Sequence, residues 1–470
     1  MGKNQKIIFI LILALVLRLI NLNQSLWLDE AAQVIMSSKS FSFQWFGRVI
    51  GDFHPPLFYL LSHFLLKVSK AEWFLRLPSV FSGVATVYLV FLIGKKFFNE
   101  KVALLTSLFL AISPFHIYYS QELRMYSLAA FLATLSTFFF LNSSWFGYFL
   151  VSTVLIYTHY LGGFLFLSHF FWVLFFGRSV FKKWLKTMIL VFVFYLPWFP
   201  QLLKQLTSGL NLVKVLPGWK ATASLSPAKA FPLTIFKFAA GRISFEDRQL
   251  YLAIIIVVLS FYFFLFYRVF RRMKLKKLFL LNWFLIPLFA GWLISFFIPL
   301  FQPFRFLFLI VPFELLVALG VLSLKRGWRK IALSGVLFIN LSGLFFYYSN
   351  PSFQRENWRE ATAFIQSQNP HDSVIIFKFS DAFAPYQWYA RAEIPFISAT
   401  PLGVSQEVIF DRLSNGTVNK KNVFLFQYLG ELTDPEAKVE KWLKKEGYQK
   451  IETKDFSGVG FVYNYRKEVF

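Results

Sequence analysis

Residues 1–349 hold only nine carboxylates: Asp29, Glu30, Asp52, Glu72, Glu100, Glu122, Glu246, Asp247 and Glu314. In a stretch this apolar a carboxylate costs desolvation energy unless it is paired or used, so each is a candidate for chemistry. Asp29-Glu30 follows Trp27-Leu28, shortly after the first apolar run. Two readings stand for the pair: a general base with a helper, or a helix N-cap with an acidic first turn, since Ala31–Met36 reads as helix. The densest polar run is Ser120-Gln121-Glu122-Leu123-Arg124-Met125-Tyr126. As a helix it places Glu122 and Tyr126 on one face at i,i+4, and Gln121 and Arg124 on the next at i,i+3. Arg124 suits an anionic group such as a lipid phosphate; a pair with Glu122, or snorkelling to headgroups, is the plainer alternative. Arg305, between Phe304 and Phe306, is a second cation of this kind. His54 precedes Pro55-Pro56, which suit the first turn of a helix; it reads as a metal ligand, a donor to substrate or a surface histidine. His159-Tyr160 ends an apolar run where belt aromatics are ordinary. Together these residues bring scarce carboxylates and two arginines that suit an anionic group.

The elements that must position them are membrane helices. The 470-residue chain is 57% hydrophobic and 16% charged, with 64 Phe and 14 Trp, far more apolar and less charged than a soluble domain. A spanning helix takes about 20 apolar residues, and eleven runs qualify within a few residues at each end: 6–22, 77–97, 102–118, 126–142, 146–161, 163–178, 186–203, 249–268, 278–298, 305–323 and 330–348. The first is an uncleaved span, because no small-residue cleavage site follows it. The basic loops, at Lys3/Lys6, Lys95/Lys96/Lys101, Arg178–Lys186, Arg268–Lys277 and Lys325–Lys330, fall on alternate connections, hence on one side. The positive-inside rule makes that side cytoplasmic. The expected N-terminus is therefore cytoplasmic, in a plasma or inner membrane, and seven of the nine carboxylates lie outside. Leu57–Val68 is too short to span easily and reads as a helix lying on the outer leaflet.

The net charge of +25 belongs wholly to residues 1–349, whereas 350–470 hold 15 basic and 15 acidic residues. Charge confined to short loops between apolar runs fits membrane topology and not a nucleic-acid face. With no cysteine there is no disulfide framework and no thiolate metal site. From residue 350 the pattern changes to an extracytoplasmic α/β domain with a mostly parallel sheet: helix 357–368, strand 373–378, strand 422–428, helix 435–446 and strand 458–465. It carries no glycine-rich phosphate loop.

The ordered set Leu26-Trp27-Leu28-Asp29-Glu30, His54-Pro55-Pro56-Leu57-Phe58-Tyr59, Arg76-Leu77-Pro78-Ser79, Ser113-Pro114-Phe115-His116 and Ser120–Tyr126 resembles bacterial members of glycosyltransferase family 39, relatives of the protein O-mannosyltransferases and of the lipid A aminoarabinose transferase. Tyr157-Thr158-His159-Tyr160, Arg305 and Glu356-Asn357-Trp358-Arg359 add to the likeness. The resemblance implies a GT-C fold and a polyprenyl-phosphate sugar donor. It also implies transfer on the extracytoplasmic side to a lipid, glycan or protein acceptor, with Asp29 as base. The Trp-Trp-Asp motif of oligosaccharyltransferase catalytic subunits is absent, and His54 stands where relatives often carry Lys or Glu. The expected roles are Asp29, Glu30 and Glu122 for catalysis, Arg124 and Arg305 for the donor phosphate, and His54, Tyr126, His159 and Tyr160 for substrate. A divalent metal ion is compatible with the carboxylates without being required. A lipid-linked sugar transporter or flippase, or a structural scaffold in an envelope assembly, are the competing readings. A transporter ordinarily shows repeated halves and polar groups near mid-membrane; the chain has no such repeat, and its polar groups gather on one side.

Overall fold

A computed structural model describes residues 3–39, 53–215, 218–271, 274–368, 372–378, 384–391, 394–399 and 406–467. Asp52, one of the nine carboxylates, lies outside them. The chain forms two compact units, one of Met1–Leu22, Ser40–Ser208 and Ala221–Phe353, the other of Asn23–Lys39, Gly209–Lys220 and Gln354–Phe470. The second unit thus takes in the segment that carries Asp29 and Glu30, in addition to the polar C-terminal part of the chain.

The first unit is a helical bundle. Each of the eleven expected spans has a helix, but among the described residues six helices are long and apolar enough to cross a membrane: Glu72–Phe97, Arg178–Lys214, Arg248–Phe270, Leu275–Ile294, Pro303–Leu322 and Arg326–Ser349. The expected 102–118 span is a pair, Glu100–Ile112 and Pro114–Ser120, bent by 61°. The spans expected at 126–142, 146–161 and 163–178 are shorter apolar helices, Tyr126–Leu141, Trp145–Thr158 and Tyr160–Phe176, and the first span is the 17-residue helix Lys3–Leu19. Apolar side chains such as Ile8, Phe9, Val257, Phe338 and Phe345 are exposed on the outer faces of these helices. So continuous an apolar exposure is a surface for lipid. The chain is a membrane protein. Leu57–Val68 is a helix over the expected residues.

The bend in the third span has a local cause. Proline offers no N–H, and it disfavours helical geometry in the residue before it. Ser113 is extended (φ −64°, ψ 116°), its hydroxyl oxygen accepts from His116 N, and Pro114 opens the next helix.

The second unit holds a five-stranded sheet in the order β2-β1-β3-β5-β4. Its strands are β1 Ser373–Phe377, β2 Phe396–Ser398, β3 Asn422–Phe426, β4 Tyr448–Phe456 and β5 Gly460–Lys467. β1 pairs in parallel with β2 and with β3, while β3–β5 and β4–β5 are antiparallel. The sheet is therefore mixed and not mostly parallel. Both central strands are buried on both faces. Val374, Ile376, Val423 and Leu425 pack with Leu413 and Leu443, while Ile375, Phe377, Phe424 and Phe426 pack with Trp358 and Ile365. Such strands read as continuous apolar runs, which is why β1 and β3 are legible. β4 is not, because it is a largely exposed edge strand, and its Lys450, Glu452 and Lys454 suit an edge that must not pair with another chain. Trp358–Gln366 is a helix capped by Asn357, whose Oδ1 accepts from Glu360 N at 3.4 Å.

Candidate active site

The polar cluster of the helical unit is built on the break at Pro114. Without an N–H at residue 114, carbonyls of the preceding turn lose their helical donor. Arg18, fully buried, supplies one: Nη2 donates to Leu110 O at 3.3 Å and Nη1 to Ala111 O at 3.2 Å. Nη2 also lies 2.7 Å from His116 Nδ1. A Cβ on Gly83 would stand 2.3 Å from Ser120 Oγ and 2.9 Å from Arg18 Nε, so glycine is needed for this approach. Gln121 continues the network, donating to Arg18 O at 3.1 Å and accepting from Tyr347 OH at 2.7 Å.

Residues 121–125 are a turn between two helices, not a continuation of helix. The i,i+4 pairing of Glu122 with Tyr126 does not apply, because the bent pair ends at Ser120 and the next helix begins only at Tyr126. The turn is pinned from the Glu72–Phe97 helix, where Ser79 Oγ donates to Arg124 O at 3.3 Å and receives at its own carbonyl the Ser127 hydroxyl at 2.8 Å. Glu122 is 1% exposed and acts electrostatically on Tyr119.

Six of the expected residues, His54, Arg124, Tyr126, His159, Tyr160 and Arg305, come together around this turn. Arg124 Nη2 lies 3.3 and 3.4 Å from the two ring nitrogens of His54. His159 is close enough to His54, Arg124 and Arg305 to feel their charge, and its ring stands 5.7 Å from that of Tyr126. Phe304 lies 5.1 Å from the Tyr126 ring and 5.8 Å from the Tyr119 ring. Arg305 Nη1 donates to Leu300 O at 2.9 Å and Ala223 O at 3.2 Å, so part of its guanidinium fixes the loop backbone. Tyr160 OH donates to Gln205 Oε1 at 2.5 Å and accepts from Trp198 Nε1 at 2.8 Å, and Gln205 Nε2 reaches His54 O at 3.3 Å.

Tyr160 also borders a cavity of about 570 Å³, lined by apolar side chains including Ile156, Phe166, Phe170, Met188 and Leu202. The apolar hollow thus abuts a tyrosine tied through Gln205 to the histidine beside Arg124. Gln205 and Arg242 are absent from the sequence reading. Arg242 donates to Tyr118 OH and lies 4.5 Å over its ring. Residues 204–248 also hold Lys204, Lys214, Lys220, Lys229 and Lys237, so charge alone does not single out Arg242.

Asp29 and Glu30 stand in the first turn of the Leu28–Ser38 helix, in the second unit. Neither caps it. The N-cap is Trp27, which has no side-chain acceptor, and the Leu28 N–H goes to Glu356 Oε2 at 3.2 Å. Asp29 is half-buried, and Glu30 is fully buried on the face that also buries Gln33, Val34 and Ser37. Among the described residues no group of three or more His, Cys, Asp or Glu side chains is placed to hold a metal ion.

A family model described as dolichyl-phosphate-mannose-protein mannosyltransferase matches residues 53–201, which hold His54, Glu122, Arg124, Tyr126, His159 and Tyr160. Over 97% of both chains the structure is similar to ArnT from Cupriavidus metallidurans bound to undecaprenyl phosphate (TM-score 0.58, 12% identity). The chain has the GT-C fold. It is also similar to the Archaeoglobus fulgidus oligosaccharyltransferase in complex with Zn and sulfate (TM-score 0.53, 13% identity, covering 98% of this chain and 73% of that one). A further match is AglB of the same organism with an inhibitory peptide and a dolichol-phosphate (TM-score 0.52, 13% identity, covering 98% and 74%). No curated protein matches the sequence significantly. Within this GT-C chain, the family-model match covers helices from Leu57–Val68 to the start of Phe199–Val215, the part that holds His54, Arg124, His159 and most of the cavity lining, while Arg305 lies outside it.

Proposed function

We propose that the protein is a membrane glycosyltransferase that moves a sugar from a polyprenyl-phosphate donor to an acceptor hydroxyl outside the cytoplasm. One observation carries the reading: an apolar cavity beside Tyr160, joined through Gln205 and His54 to Arg124. An isoprenoid chain with a phosphate at its end matches that sequence of environments. Arg124 and Arg305 hold the phosphate as charge builds on it, His54, Tyr126, His159 and Tyr160 bind the donor, Asp29 is the base, and Glu30 and Glu122 are its helper carboxylates. The acceptor oxygen attacks the anomeric carbon, the bond from that carbon to the phosphate oxygen breaks, and polyprenyl phosphate leaves with the electron pair. The acceptor proton passes to Asp29, and the anomeric centre is inverted. A glycosidase needs a second carboxyl group to protonate its leaving alcohol; a lipid phosphate leaves without one, so a single base suffices. ArnT and AglB, which share the fold, are known with undecaprenyl phosphate and with dolichol-phosphate.

Purified protein given radiolabelled polyprenyl-phosphate sugars should release label to an acceptor and leave polyprenyl phosphate. Movement of intact lipid-linked sugar across vesicles, with no bond cleavage, would replace this reading with a flippase.

The same reading places the N-terminus in the cytoplasm and the C-terminal unit outside, because the basic loops alternate. Alkaline phosphatase fused after Phe470 should be active in intact cells and a cytoplasm-dependent reporter there silent; the reverse pattern inverts the topology.

A further inference from the structure

The Leu28–Ser38 helix begins without a cap of its own. Trp27 at the N-cap has no side-chain acceptor, yet the first-turn N–H groups of a helix need partners and its positive end favours an anion. The anion comes from 328 residues away in the chain: Glu356 Oε2 accepts from Leu28 N at 3.2 Å. The carboxylate is itself held on both oxygens, Oε1 by Tyr428 OH at 2.8 Å and Oε2 by Trp358 Nε1 at 2.7 Å. Trp358 opens its helix and Tyr428 follows β3, so the grip is built from the second unit's core. The segment leading into the helix is tied down by the same unit. Leu26 N donates to Tyr389 OH at 2.7 Å, Arg359 N to Ser25 Oγ at 3.1 Å, Arg355 N to Gln24 Oε1 at 2.8 Å, and Arg359 Nη2 to Asn23 O at 3.2 Å.

We propose that Glu356 is a positioning residue for Asp29, acting through the peptide of Leu28, and that the C-terminal domain is the scaffold that sets the base. This rests on the reading of Asp29 as the base. Asp29 is the residue after the gripped peptide, so a shift at Leu28 N moves its carboxylate directly. Burial raises the Glu356 carboxyl above the usual range, the nearby charge of Asp29 adds to the rise, and the bonds from Trp358, Tyr428 and Leu28 oppose it. Oε2 thus takes two N–H bonds and Oε1 one O–H bond, which fixes the carboxyl plane in front of Leu28 N.

The test uses full-length protein in nanodiscs, with radiolabelled polyprenyl-phosphate sugars prepared from host membranes. Glu356→Ala should lower kcat by about 10- to 100-fold, the scale of a misplaced catalytic group, with the donor KM unchanged. Glu356→Gln, which keeps an oxygen for Leu28 N, should recover most of the rate. In an Asp29→Asn background Glu356→Ala should cost nothing more, because residues acting as one unit are not additive. Hydrogen exchange, which needs no substrate, should quicken across Leu28–Ser38 in the alanine variant and not in the glutamine variant. Tyr428→Phe, a milder change that spares the fold, should reproduce the exchange effect in part. The proposal is overturned if Glu356→Ala keeps its kcat or its exchange pattern, if glutamine is as damaging as alanine, or if the losses multiply with Asp29→Asn. A fully active Asp29→Asn protein would instead remove the base assignment while leaving the exchange result to judge the clamp.

Discussion

Asp29→Asn protein should fold and load donor normally but lose about 10²- to 10⁴-fold in transfer, the usual cost of removing a general base. The substitution is nearly isosteric. It also leaves the helix start intact, because Asp29 does not cap that helix and the Leu28 N–H is taken by Glu356. A capping role would have predicted little change in either stability or rate, because Asn caps a helix about as well as Asp. The measurement is single-turnover transfer with donor occupancy determined separately, since a steady-state assay would confound weak binding with slow chemistry. Near-normal turnover of loaded Asp29→Asn protein would take Asp29 out of the mechanism.

Arg124→Ala should weaken donor binding by about 10- to 150-fold, the equivalent of roughly 1.5–3 kcal/mol for a lost hydrogen bond to a charged group. Three features make it the more sensitive of the two arginines. It is buried, it stands beside His54, and its backbone is pinned by Ser79. Arg305 spends part of its guanidinium on Leu300 O and Ala223 O, so Arg305→Ala should combine a smaller loss of affinity with a loosened loop. The readout is equilibrium binding of a polyprenyl phosphate without sugar. If both variants bind it like the wild type, the phosphate is held elsewhere.

Much of this was legible in the sequence, for identifiable reasons. A membrane segment must satisfy its backbone internally and face lipid, so composition over about 20 residues is enough to place it. All eleven expected runs are helical, and Leu57–Val68 agrees to the residue. The strands β1 and β3 were readable because burial on both faces makes a strand uniformly apolar. The scarcity of carboxylates singled out Asp29, Glu30 and Glu122, and the reversed charge bias singled out Arg124 and Arg305.

What composition could not give was anything set by atoms distant in the chain. The bend at Pro114 is signalled locally, but its tolerance inside a bundle depends on Arg18, nearly a hundred residues earlier, reaching the carbonyls the proline strands. The antiparallel half of the sheet was hidden because an edge strand exposed to water carries the polar residues of a loop. Residues 121–125 look helical by spacing and are a turn, because Ser79 and Ser127 fix the backbone there from outside the segment. The sequence alone determined that the chain is a membrane protein in which carboxylates are scarce. Only the tertiary structure decided that the helix bearing Asp29 belongs with the C-terminal domain, since a peptide N–H at residue 28 can find its anion at residue 356 only after the chain has folded.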